Sequence, residues 1–189
     1  MKRLFLFLLF SASLSLYAQV INFPKTLPFQ AWSVGLTPSY HIDRDVVLFD
    51  AGGPAIAVNG GYGILYSLDV NARYIYFFNG ADYVGVDMQY LVYETRNTYI
   101  SVLGGLHYWE VFGCDISGYI TYTPRFEWSL STGLDLDLSF AQDVNPRFWS
   151  PLNVGYNLTE EAFLYAEYKL PVSNLSWGIV ALGINYVLR

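Results

Sequence analysis

The chain has 189 residues, of which 53 % are hydrophobic, 19 % aromatic and only 14 % charged. That length suits a single domain, the hydrophobicity excludes a disordered chain, and so little charge cannot cover an ordinary soluble globule, which carries about 25 % charged residues. The net charge of −6 argues against nucleic acid as a partner, because phosphate binding needs a basic face.

Residues 1–18 read as a secretory signal. Lys2 and Arg3 form the charged start, Leu4 to Phe10 the apolar core, and a stretch rich in small residues ends at Ala18. The apolar run is too short for a spanning helix, which takes about 20 residues. Residues 19–29 are expected to form a periplasmic N-terminal segment, and residues 30–189 one barrel domain. Cys114 is the only cysteine, so no internal disulfide can form. A thiol with no special role is expected there.

From residue 31 onward the pattern has period two. Between residues 126 and 140 the even positions include Phe126, Trp128, Leu130, Leu134, Leu136, Leu138 and Phe140. The odd positions are Glu127, Ser129, Ser131, Gly133, Asp135, Asp137 and Ser139. A strand separates two such sets onto opposite faces, whereas a helix scatters them. The same parity runs through ten predicted strands: 31–41, 54–66, 70–78, 84–93, 99–112, 115–122, 126–140, 148–158, 162–170 and 177–188. Because paired residues share a face, every connection must contain an odd number of residues. Three-residue turns at Ser67–Asp69, Thr123–Arg125 and Thr159–Glu161 satisfy this. So do five-residue loops at Asn79–Tyr83 and Glu94–Thr98 and a seven-residue loop at 141–147. The longest connection, His41 to Gly53, is expected to extend its hairpin above the membrane.

Ten amphipathic strands with no helix to cover the apolar face need lipid as their solvent, and in lipid a sheet must close into a barrel. The fold class is therefore all-β: a closed antiparallel transmembrane barrel of ten strands, with eight strands and longer loops as the alternative. The rings fit that placement. Trp32, Tyr66, Tyr122, Phe126, Trp128, Tyr156 and Tyr186 fall at the short-turn rim, taken as periplasmic. Tyr40, Tyr76, Phe78, Tyr108, Phe112, Phe140 and Phe148 fall at the other. Two aromatic girdles around an aliphatic band mark a transmembrane barrel.

The signal, strands and girdles resemble the small outer-membrane β-barrel proteins of Gram-negative bacteria, in the broad opacity-protein-like sense. The last strand is similar to that family's assembly signal at Gly183, Tyr186 and Leu188. It departs from it at Ala181, where a polar residue is usual, and in having Arg189 after the apolar terminus. The resemblance implies a place in the cell outer membrane, with lipid and the barrel-insertion machinery as partners. No cofactor is implied, and the surface partner stays unnamed.

Odd-numbered residues are expected to face the lumen. The charged ones are Asp69, Arg73, Asp87, Glu127, Asp135, Asp137, Glu167 and Lys169, six acids against two cations, with His107 as a titratable extra. The predicted register sets Arg73 opposite Gln89 and diagonal to Asp87. It sets both Asp137 and Lys169 opposite Pro151, and Asp135 level with Glu167. Tyr93, Tyr99, Trp109, Tyr119, Trp149, Tyr165 and Trp177 also point inward by parity. Such a lumen is either filled and shut by paired charges or a constriction selective for small cations. Catalysis is disfavoured, because His41 and His107 are the only histidines and neither lies in a His-x-Ser arrangement. The expected role is non-enzymatic, being structural, adhesive or partner-binding, with a narrow cation-preferring channel as the alternative.

Overall fold

The computed structural model describes residues 25–43, 53–140, 146–172 and 177–189. The expected signal, most of the rim loop after His41 and the side chain of Trp177 lie outside this description. Ten strands are formed: β1 (Trp32–Asp43), β2 (Gly53–Leu65), β3 (Leu68–Phe77), β4 (Tyr83–Glu94), β5 (Thr98–Trp109), β6 (Val111–Arg125), β7 (Trp128–Ser139), β8 (Arg147–Asn157), β9 (Ala162–Pro171) and β10 (Trp177–Leu188). Each pairs antiparallel with its neighbours in the chain, and β1 pairs with β10, so the barrel closes with no free edge. The ten-strand prediction holds and the eight-strand alternative does not.

Parity decides orientation almost everywhere. In β4, Tyr83, Gly85, Asp87, Gln89 and Leu91 are buried, while Val84, Val86, Met88, Tyr90 and Val92 are exposed. The exposed face is apolar on every strand and rimmed by rings, which only lipid solvates well.

Three of the predicted turns are tighter than expected, and bulges keep the parity. The β2–β3 connection is a two-residue turn at Tyr66 and Ser67, not Ser67–Asp69, with Ile64 left over in the ladder between Gly63 and Leu65. The β4–β5 ladder skips Val92, and its turn closes where Thr95 N–H donates to Thr98 O at 2.8 Å. The β6–β7 turn is Phe126 and Glu127, not Thr123–Arg125, with a register shift between Tyr122 and Arg125. A two-residue hairpin turn matches the strand twist but pairs residues of opposite parity. One bulged residue restores the match. The cost of this device is local: Leu65 and Tyr93, odd-numbered but beyond a bulge, are exposed instead of facing inward.

Other boundaries also move. The β5–β6 turn is centred on Glu110, at φ 59°, and not at Gly113 and Cys114, which are paired inside β6. Two ladders sit four residues from the predicted register. Arg73 is opposite Gly85 rather than Gln89, and Asp137 is opposite Arg147 rather than Pro151. The Thr159–Glu161 turn is as predicted and does place Lys169 opposite Pro151.

The lumen is layered. On the loop side, Ala55, Ala57, Ile75, Phe77, Tyr83, Trp109, Trp149 and Ile179 form one buried apolar cluster. Phe77 stacks on Trp109 at 5.4 Å, and Trp109 Nε1–H donates to Ala81 O at 2.5 Å, so the indole is both packed and satisfied. On the turn side, Leu27, Ala31 and Val187 form a smaller apolar cluster. Charged side chains occupy the space between.

Candidate functional site, a charged layer in the lumen

Each of the ten strands sends at least one odd-numbered polar side chain inward, and the buried carboxylates, arginine and lysine stand on β3, β4, β6, β7 and β9. The Arg73 guanidinium from β3 donates to the Asp87 carboxylate from β4, with both side chains about fully buried. This is the diagonal contact predicted for the pair, reached from a different register. Across β5, His107 has Nδ1 3.4 Å from Asp115 Oδ1 and Nε2 3.5 Å from Asp137 Oδ1. Tyr83 stacks on the same imidazole with centroids 5.5 Å apart, tying the charged layer to the apolar one above it.

A second group lies on β6, β7 and β9. Lys169 Nζ is 3.0 Å from Asp135 Oδ2, and the Ser117 hydroxyl donates to Asp135 Oδ1 at 2.6 Å. Lys169 therefore meets Asp135, not Asp137 as the predicted levels had it, because β8 sits four residues from the expected register. Asn153 Nδ2 lies 3.4 Å from Glu167 Oε2. A buried carboxylate costs far more free energy unpaired than paired, so the spacing of these contacts is a structural requirement.

Two predicted members stand apart. Asp69 is buried near the turn-side mouth, where it accepts hydrogen bonds from Leu27 N–H at 2.8 Å and Asn71 Nδ2 at 2.9 Å. Glu127 is exposed in the β6–β7 turn and contributes nothing to the lumen, because the turn closes later than Thr123–Arg125. Asp115 was not among the predicted lumen charges. Its odd number was the available signal, and because β6 begins at Val111 the residue lies well inside the strand and faces the lumen. In the last strand Gly183 faces the lumen beside the Tyr165 ring, while Tyr186 and Leu188 face outward. Among the described residues no group of three or more His, Cys, Asp or Glu side chains is arranged to hold a metal ion.

Gly105 makes the acidic cluster possible. It lies on β5 with its missing side chain directed inward, where a Cβ would fall onto Asp87 Oδ1 and lie 3.0 Å from Asp115 Oδ1 and 2.9 Å from the Val86 carbonyl oxygen. The backbone contact cannot be relieved by a rotamer change. Gly105→Ala is therefore expected to destabilise the barrel by about 1–3 kcal/mol, the usual range for overpacking. The urea unfolding midpoint in detergent measures it.

This geometry is a membrane protein's turned inside out relative to a soluble domain: charge in the centre, hydrocarbon on the surface. The fold is that of an outer-membrane β-barrel. Solved structures agree at the level of fold. An outer membrane channel from Pseudomonas putida F1 superposes with a TM-score of 0.58 at 9 % identity, covering 90 % of this chain and all 100 % of that one. The NanC porin gives 0.57 at 10 % identity, covering 81 % of this chain and 98 % of its own. The Acinetobacter baumannii outer membrane protein Omp33 gives 0.52 at 9 % identity, covering 87 % and 100 %. No protein-family model and no curated protein matches the sequence.

Proposed function

We propose that the chain is a closed, non-enzymatic barrel of the outer membrane, with a structural, adhesive or partner-binding role carried at its rims. One observation carries this reading: Ile75, Phe77, Tyr83, Trp109, Trp149 and Ile179 are buried together across the loop side of the lumen. A barrel of this size has room for side chains and little more, and here the large ones point inward. The buried ion pairs beneath hold the wall together from within. The same layer argues against catalysis, since His107 lies under Tyr83 and is 3 % exposed. Gly183, Tyr186 and Leu188 serve insertion rather than activity in this reading.

The second reading is a narrow cation-preferring channel. It is favoured by the acids in the charged layer, where Asp87, Asp115, Asp135, Asp137 and Glu167 outnumber Arg73 and Lys169, and by the fold shared with a porin and a channel. Planar-bilayer recording separates the two. The closed barrel predicts silence under an applied potential. Steady cation-selective openings, altered by Asp137→Asn, would establish the channel instead.

A further inference from the structure

Residues 25–31 cross the turn-side mouth instead of leaving it. At one side Lys25 pairs with Glu94 and its Nζ lies 5.2 Å above the Tyr99 ring. At the other, Leu27 N–H donates to Asp69, Gln30 N–H donates to Gly63 O at 2.8 Å, and Gly63 N–H donates to Ala31 O at 3.0 Å. Between these anchors the Leu27 side chain is directed into the barrel and is 2 % exposed.

The wall is cut to receive it. Gly61 and Gly63 are alternate residues of β2, so both face the lumen. A Cβ on Gly63 would fall onto the Pro28 carbonyl oxygen, and one on Gly61 would meet Asn71 Oδ1 and Ser33 Oγ of the wall first and lie 2.9 Å from Leu27 Cδ1. Glycine inside a strand marks a close backbone approach, and at Gly63 what approaches is the backbone of Leu27 and Pro28. Beside the crossing segment a cavity of about 520 Å³ remains in the same mouth, with Ser129, Asn157, Phe163 and Arg189 in its lining and Lys25 to Pro28 as its other wall.

We propose that residues 25–31 are a displaceable plug, seated by Gly61, Gly63 and Asp69, whose departure joins that cavity to the lower lumen and opens the polar wall around Ser33, Asn59, Asn71 and Asn185 to water from the turn side. The plug is held by a few hydrogen bonds and one half-exposed ion pair. The strands around it are held by continuous ladders. Segments with few bonds open at lower free energy than the elements they lie on. The proposal rests on the closed-barrel reading: the loop-side apolar layer stays in place when the plug leaves, so access from the turn side changes and conductance does not.

The test uses a Ser33→Cys probe in a Cys114→Ser background. Ser33 is 2 % exposed and close to the Leu27 side of Gly61. With the plug seated, its thiol should react slowly with a membrane-impermeant thiosulfonate, compared with a Thr95→Cys reference in an exposed turn. Gly63→Val removes the seat, and Leu27→Asp sets a carboxylate against Asp69. Each should raise the Ser33→Cys rate by at least about tenfold, while heat-modifiable migration shows an intact barrel and bilayer conductance does not change. Leu27→Asp decides the matter if Gly63→Val does not fold. The proposal is overturned if the probe stays protected in folded variants, if it already reacts at the reference rate in the parent, or if neither variant forms a barrel.

Discussion

Lys169→Met is expected to destabilise the barrel by about 3–5 kcal/mol, the cost of removing one partner from a buried ion pair. Lys169 is 0 % exposed and its ammonium lies 3.0 Å from Asp135 Oδ2. Methionine keeps most of the volume and removes the charge, so the loss measures electrostatics more than packing. What remains is a carboxylate in the middle of a membrane-embedded lumen that keeps the Ser117 hydroxyl and has lost its nearest cation. Asp135→Asn added to Lys169→Met should restore much of the loss, because the amide still accepts from Ser117 and carries no charge. A double-mutant cycle on urea midpoints in detergent reads the coupling directly. If the double variant is no more stable than Lys169→Met alone, the pair does not govern the stability of the charged layer.

Why this pair was not legible in advance follows from the symmetry of a strand. Side chains alternate with period two, so the pattern reports which face a residue occupies and is blind to any slide by an even number of residues. Arg73 and Asp137 both kept their faces while their ladders moved by four residues from the predicted register. Arg73 still reaches Asp87 because a long side chain spans a diagonal, but Lys169 exchanges Asp137 for Asp135. Bulges were hidden for the same reason. At Ile64 and Val92 the extra residue offsets an even turn, so the alternation is broken at Leu65 and Tyr93 and resumes with the same parity in the next strand. The Glu110 turn had no glycine, proline or asparagine to announce it, and Gly113 three residues on offered a false one. The mouth-crossing segment had no alternation of its own. Its trace lay in the wall, in the lumen-facing Gly63, and a glycine's meaning there depends on what approaches it.

The outer face makes the other large prediction. Leu134 is 62 % exposed in β7, midway between the girdle residues Trp128 and Phe140, and its ladder partner Gly118 offers no side chain to shield it. An arginine at this depth must either carry its charge into hydrocarbon or bend away along the wall. Leu134→Arg should therefore cost about 2–4 kcal/mol and sharply lower the yield of inserted, heat-modifiable barrel. Phe126→Arg supplies the matched comparison, since Phe126 lies in the β6–β7 turn at the rim and is also exposed. There the guanidinium reaches headgroups and water, and the cost should fall to about 0–1 kcal/mol. Folding into liposomes of defined thickness, followed by urea titration, measures both. A Leu134→Arg barrel that inserts as well as Phe126→Arg would mean that the even-numbered face of β7 does not meet the hydrocarbon core, and the membrane placement of the whole barrel would have to be redrawn.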